Sequence, residues 1–350
     1  RATAYDAYGR AFRTATTISG VAYTSHTLYD RNSRPRIVAY PSSTATENPL
    51  NLRYEYNDDG GLTGAGAAWR VVDHFGGQVH WQVESATSPT GRYLDGKFWK
   101  GSTGGAATEK TYDELGRIRT IKAGAGVIQN SSYAFDPVGN LTQRADPAAG
   151  LTNETFDYDK VNRLIGVTTT PASAAAYARS YSYDEAGRIR TRPELPGACG
   201  GVPGGIDYLN GTHRVSCADG RSYQYDAVGN VTDDGVRTYE AYTPFNLPTR
   251  IRRGGTTLEY SYDGEHQRAT ERVVGTGTTT FVNGALFEVA TTETGAVTAW
   301  RHYLDSPEGV IGVVTRYPAQ AATTRYWHKD HLGSMVAETD AVGASVQRFA

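Results

Sequence analysis

Few residues of this chain have types and spacings that suggest chemistry. His328, Asp330 and His331 lie close together, and imidazole with carboxylate is a donor set that suits zinc. No further ligand stands nearby to complete a site, so no metal is expected there. Cys199 and Cys217 bracket a Gly/Pro-rich stretch, CGGVPGGIDYLNGTHRVSC, unlike its surroundings. Two readings stay open for them. A disulfide would stabilise the fold by roughly 3 kcal/mol in the chain-entropy model and needs an oxidising compartment; the other reading is two free thiols. Trp69, Trp81, Phe98 and Trp99 fall in a less regular stretch, at about 60–108, and such rings can stack on sugars. Packing inside hairpins is the simpler account of them. Arg10, Arg117, Arg163 and Arg188 recur beside aspartates and tyrosines, where ion pairing or stacking explains them better than an anionic ligand does. There is no Ser/His/Asp order, no phosphate-binding loop and no dinucleotide glycine pattern, and only eight histidines. No catalytic residue and no cofactor is expected.

The elements that would carry such residues are written in the composition. Among 350 residues there are 24 Tyr and 40 Gly but one Met, Met335. Tyrosine favours strands and joins a large apolar ring to a hydroxyl that must find a partner. A chain rich in Tyr, Thr, Val and Gly suits a broad, thin sheet better than a helical core. The formal net charge of −2 gives no bulk attraction to nucleic acid or anionic membrane. Only six of the 35 basic residues are lysine, and arginine is the one that makes bidentate pairs and stacks on rings. No stretch approaches the ~18 apolar residues of a transmembrane helix, and no signal-peptide pattern opens the chain. It starts mid-pattern at Arg1 without Met, so it is expected to be a piece of something longer.

One pattern recurs: aromatic, any residue, aromatic, Asp, two residues, Gly, Arg or Asn, aliphatic. The clearest copies are YAFDPVGNL, YSYDEAGRI and YQYDAVGNV, which begin at Tyr133, Tyr181 and Tyr223. TYDELGRI and FDYDKVNRL are close, and degenerate copies begin at Ala4, Leu28, Tyr54 and Tyr260. Two aromatics at i and i+2 share one face of a strand. Asp-x-x-Gly then makes a β-turn: the carboxylate caps it, and Gly tolerates a positive φ. The repeat positions are Tyr112, Asp113, Gly116 and Arg117; Asp136 and Gly139; Asp159 and Arg163; Tyr183, Asp184, Gly187 and Arg188; and Tyr225, Asp226 and Gly229. Asp113, Asp136, Asp159 and Asp184 are 23, 23 and 25 residues apart, and a gap of 42 follows to Asp226, which the cysteine-bounded insertion at 199–217 occupies. Each unit is therefore a β-hairpin. A lone hairpin is marginal in water, but stacked neighbours pair its edges and bury its aromatic face.

These units resemble the repeats of YD-repeat proteins: bacterial Rhs and wall-associated polymorphic toxins, the C component of insecticidal Tc toxins, and teneurins. Near the end, Asp330-His331-Leu332-Gly333-Ser334 resembles the DHLGS signature of Rhs shells, and the segment from Phe281 through Asn283-Gly284 to Leu304 resembles what precedes that signature. The resemblance implies an all-β fold: tandem hairpins spiralling into a shell or cocoon, of which this chain is a part. It divides the chain into 1–265, a YD-repeat shell with the irregular stretch and the insertion, and 266–350, Rhs-type repeats with the signature. In the family such a shell encloses a C-terminal toxin that an Rhs core cuts free. Asp136-Pro137-Val138-Gly139 mimics half of that cleavage motif, but Asn140 follows and no second copy appears, so no cleavage is expected there.

The function this implies is non-catalytic: a shell segment that encapsulates and protects the C-terminal toxin domain of a secreted bacterial toxin until delivery. The alternative is an extracellular carbohydrate-binding or adhesion module. The implied partners are the toxin domain and the rest of the shell, with secretion-spike or chaperone proteins besides; the implied location is extracellular or at the cell surface. The period-2 patterning predicts that far-UV circular dichroism will show helix well under about a tenth.

Overall fold

The computed structural model describes residues 1–42, 49–57, 67–87, 95–100, 106–171, 177–282 and 286–349. The degenerate repeat copy at Tyr54 runs into residues outside this set, as do Asn283 and Gly284. Strands make up 61% of the structure, and the pairings among the described residues are antiparallel. Among the described residues the only helical turns are 3-10 segments at Gly124–Gly126 and Pro147–Ala149. None is long and apolar enough to cross a membrane. The architecture is the all-β one that alternation and turn spacing imply. In both large sheets the strand order is the chain order, as hairpin follows hairpin.

Packing divides the chain into two compact units, 1–132 with 262–270 and 277–350, and 133–261 with 271–276. In the first unit, successive strands such as Val21–Tyr29, Pro35–Ser42 and Asn51–Tyr56 form one meander, and Phe287–Thr292, Val297–Ser306, Gly309–Arg316 and Thr323–Lys329 form another. Their inward side chains meet in one apolar core that joins residues far apart in sequence. Tyr23 meets Phe287 edge-on at 6.3 Å, and Leu50, Leu52 and Trp81 are buried with Leu304 and Tyr326. Sheet alternation explains the selection: Tyr326 and His328 point in, while Trp327 and Lys329, which alternate with them, point the other way.

The second unit is thinner. Among its described residues the buried apolar side chains are few: Tyr133, Val167, Cys199 and Ile206. Cys199 and Cys217 are joined by a disulfide, Cα atoms 5.8 Å apart, which fastens the hairpin Ala198–Cys199/Val202–Pro203 to the strand Val215–Ala218. Glycine is required in this knob: a Cβ on Gly197 would sit 2.1 Å from the Asp219 backbone.

The core of the first unit contains histidines as well as apolar groups. His80, His302 and His328 are each at most 1% exposed. His80 Nδ1 lies 2.9 Å from the Tyr326 hydroxyl, the His302 ring sits 4.8 Å from Phe287, and His328 Nε2 lies 3.1 Å from Thr339 Oγ1. Burial pushes the His80 pKa from its ordinary 6.5 down to about 4, with Asp73 opposing and Arg316 adding. Burial likewise drives His302 to about 3, and Arg316 adds to it. A lowered folded pKa means that the unfolded chain binds protons first as the pH falls. The stability these two groups confer is full above about pH 6.5 and is lost as the pH falls from there through about 4 and about 3. We therefore expect the urea midpoint to fall between pH 7.5 and pH 4.5, and His302→Phe to flatten that slope. An unchanged slope in the variant would show that the histidine does not carry it.

Candidate functional site: the repeat turn and its lock

Each Asp of the pattern organises a hairpin loop. At Asp184, its backbone N–H donates to the Arg188 carbonyl at 2.9 Å, and the Gly187 N–H donates back to the Asp184 carbonyl at 3.0 Å. The Arg188 N–H donates to Oδ1 at 2.9 Å and its Nε to Oδ2 at 2.6 Å. The fourth residue of the loop lies in the left-handed region, as in a type I turn closed by a bulge. Gly139, Gly187 and Gly229 stand there with φ of 98°, 79° and 99°; Ser33, Asn162 and His266 take the same place at 62°, 63° and 63°. Asp6, Asp30, Asp113, Asp136, Asp159, Asp226 and Asp263 cap equivalent loops. The backbone N–H of Arg117 holds the Asp113 carboxyl below its usual range, against a burial effect that raises it, and the Arg117 guanidinium adds to the lowering. Asp159 is held down in the same way by Arg163.

The arginine then reaches the next repeat. Arg163 lies 4.6 Å from the centre of the Tyr183 ring, and the Tyr183 hydroxyl donates to the Leu164 carbonyl, one residue past that arginine, at 2.8 Å. The same lock joins Arg188 to Tyr208 at 4.8 Å, with the Tyr208 hydroxyl on the Ile189 carbonyl at 2.9 Å. In the first unit Arg10 meets Tyr29 at 4.7 Å and Arg34 meets Tyr56 at 4.2 Å, with hydroxyls on the Ala11 and Pro35 carbonyls at 2.8 and 2.6 Å. Asn140 replaces the arginine in one copy. Its Nδ2 donates both to Asp136 Oδ2 at 2.8 Å and to Asn162 Oδ1 of the next turn at 2.9 Å. Surface ion pairs contribute little by themselves. The stack, at about 0.5–1 kcal/mol, and the tyrosine hydrogen bond, at about 1 kcal/mol, carry more of each junction.

The Asp330 to Ser334 signature is one more such turn. The Leu332 and Ser334 N–H groups donate to Asp330 Oδ1 at 2.9 and 2.8 Å, and Gly333 has φ 87°. Asp330 is thus engaged as a turn cap beside the buried His328. Among the described residues no group of three or more His, Cys, Asp or Glu side chains could hold a metal. Asp136 of the DPVG sequence caps an ordinary turn. Trp81 is fully buried, with its Nε1 donating to Glu308 Oε2 at 3.0 Å, and Arg70 sits over the Trp69 ring at 5.7 Å. The side chains of Phe98 and Trp99 lie outside those described. Several turns escaped sequence reasoning. Within 199–217, Tyr208 and the loop from Leu209 to Arg214 form a further copy, in which Leu209 stands where Asp is usual. Thr243 and Thr292 cap turns with hydroxyls, and Asp340 caps one with no aromatic before it.

No protein-family model matches this sequence, and neither does any curated protein. Solved structures do match its fold. The Tc holotoxin pore of Photorhabdus luminescens superposes over 93% of this chain with a TM-score of 0.70 at 17% identity, covering 17% of that chain. The TcdB2-TccC3 crystal structure superposes over 98% with a TM-score of 0.73 at 15% identity, covering 20% of that chain. The chain thus spans about a fifth of the length of either. Its fold is that of the Rhs/YD-repeat shell in these toxin complexes.

The turn geometry predicts a graded mutational response at one position. Gly187→Val should cost about 2 kcal/mol, because a β-branched residue is strained at positive φ. Gly187→Asn should cost under about 1 kcal/mol, since Asn162 already occupies the equivalent place. Tyr183→Phe, which keeps the stack and removes one hydrogen bond, should cost about 1 kcal/mol. Urea denaturation of the three variants checks the order; equal effects of Val and Asn would refute the left-handed assignment.

Proposed function

We propose that this stretch of Rhs/YD-repeat wall is a non-catalytic segment of a shell that encloses a toxin domain of its own parent protein and keeps it from proteases until delivery. The observation that carries the proposal is the lock from turn to turn. Asp, Arg and the next repeat's Tyr fix hairpin to hairpin at Arg10, Arg34, Arg163 and Arg188, and in the second unit they do so with little apolar core behind them. The likeness to TcdB2-TccC3 and to the holotoxin pore supports a role in a toxin complex. The partners in this reading are the enclosed C-terminal domain and the remaining shell, with secretion-spike or chaperone proteins at delivery. The setting is extracellular and bacterial. The repeat tyrosines, aspartates and arginines act by closing the wall.

The test uses the parent chain with its downstream domain. The intact protein should protect that domain from added protease, and the double variant Tyr183→Ala/Tyr208→Ala should expose it several-fold faster while the remaining sheet stays folded by circular dichroism. Equal digestion of both forms would count against containment. So would robust nuclease, glycosidase or peptidase turnover by this chain that disappears in Asp330→Asn or His331→Gln.

A further inference from the structure

One hairpin of the first unit gathers polar side chains that the turn-to-turn lock does not use. Val297–Ser306 pairs with Gly309–Arg316 so that Trp300 stands opposite Arg316 and His302 opposite Val314. Directly paired residues share a face of a sheet, and so do residues two apart on one strand. Trp300, His302 and Arg316 therefore stand together on the core side, where Trp300 packs against the apolar cluster and His302 is 1% exposed. Trp300 Nε1, Arg316 Nη1 and His302 Nδ1 are all enclosed, and none has a hydrogen-bond partner among the described residues. The Val314 backbone engages the His302 ring, and Nδ1 is the nitrogen left over. Buried polar groups are nearly always paired, so three orphans on one face call for a common partner.

The three groups narrow what that partner is. An indole and a guanidinium can only donate, and an imidazole supplies an N–H by tautomer or by protonation. A cation finds no lone pair on the first two. A water molecule can accept from two of the donors, but it must place its own two protons on acceptors that neither Trp300 nor Arg316 provides. Arg316 also brings a charge out of water: burial pulls its pKa down, and the Asp73 charge opposes this. Asp73 is committed elsewhere, because its Oδ1 accepts from the Phe75 and Gly76 N–H groups of its own turn at 3.0 and 2.9 Å. Its charge also reaches His80, which lies on Val79–Thr87 and contacts the Tyr326 hydroxyl.

We infer that Trp300, His302 and Arg316 bind a small monovalent anion of the halide class on the core side of this hairpin. A halide accepts from several N–H donors at once and needs no acceptor in return. It also offsets a guanidinium where an unpaired charge is costly. The enclosure of all three nitrogens suits a single-atom ion rather than the end of a large ligand. The ion fastens the two strands to each other from inside, so the first unit is more stable when it is bound. This binding does not depend on the wall containing anything.

The experiment is urea denaturation of the whole chain at constant ionic strength, with sodium chloride or bromide replacing sodium gluconate, whose anion is too large to enter. All five tryptophans belong to the first unit, so their fluorescence reports its unfolding. Once halide exceeds its dissociation constant, the folding equilibrium constant should rise about tenfold for each tenfold rise in halide, as one bound ion requires. Arg316→Met should abolish that dependence. Trp300→Phe, which keeps an aromatic ring and removes the N–H, should weaken halide affinity about tenfold, the loss of a hydrogen bond to a charged group. Crystals grown in bromide should give an anomalous peak between Trp300 and Arg316, a readout that stands even if Arg316→Met does not fold. Equal stability in halide and gluconate, an undiminished halide effect in Trp300→Phe, or a water in place of bromide would overturn the assignment.

Discussion

The structure rests on one small arrangement: a guanidinium held edge-on by its own turn's aspartate and face-on against the next turn's tyrosine. The two contacts constrain different freedoms. The Arg188 guanidinium is held at its edge by Nε donating to Asp184 Oδ2 at 2.6 Å and by its other nitrogen donating to the Thr212 carbonyl, and the Tyr208 ring lies 4.8 Å from its central carbon. The tyrosine is then fixed at its far end, because its hydroxyl is on the Ile189 carbonyl. Spacing between neighbouring turns is thereby set by side chains as well as by the backbone ladder, and a lysine could not substitute, having neither plane nor fork.

The two units depend on this arrangement to different degrees. The first has a core in which two meanders share Tyr23, Trp81, Phe287, Leu304 and Tyr326. Its turns are supported from within. The second buries little apolar surface, and its polar residues make up for it: Glu154, only 6% exposed, accepts from Arg144 and from Thr169 across three neighbouring strands. In a thin sheet of this kind, junction contacts and a disulfide knob have to do what a hydrophobic interior does elsewhere. The first unit also ties its interior to its surface. Buried Trp81 positions Glu308, and Glu308 positions Lys110, so a core side chain sets the geometry of a partly exposed ion pair.

What the sequence made legible was local. Asp-x-x-Gly-Arg lies within five residues, and its turn chemistry needs no partner from elsewhere, so the hairpins and their spacing could be read directly. Where the local chemistry was kept by a different residue, the pattern was lost. Leu209 occupies the aspartate position, Thr243 and Thr292 cap with hydroxyls, and Asp340 follows Thr339 where an aromatic is usual. The lock was only half visible, since an arginine beside an aspartate suggests an ion pair but not the tyrosine some 20 residues on. The histidine-bearing core and the ion pair of Lys110 with Glu308 were not legible at all. His80 meets Tyr326 and Lys110 meets Glu308 across 246 and 198 residues, and nothing in either neighbourhood announces its partner.

Neighbour-only bonding has a mechanical corollary. In the stretch from Leu141 to Ser180, each strand is held chiefly by the strands before and after it, in order of the chain. Tension applied along such a sheet loads one junction at a time, in the manner of a zip fastener, rather than shearing many at once. Each release should yield a hairpin's worth of slack before the next tyrosine and arginine take the strain. The covalent bond between Cys199 and Cys217, 18 residues apart, is a fixed stop in that sequence: it withholds its loop from extension unless it is reduced. A sheet bonded in this way is expected to part hairpin by hairpin under a pull on one end.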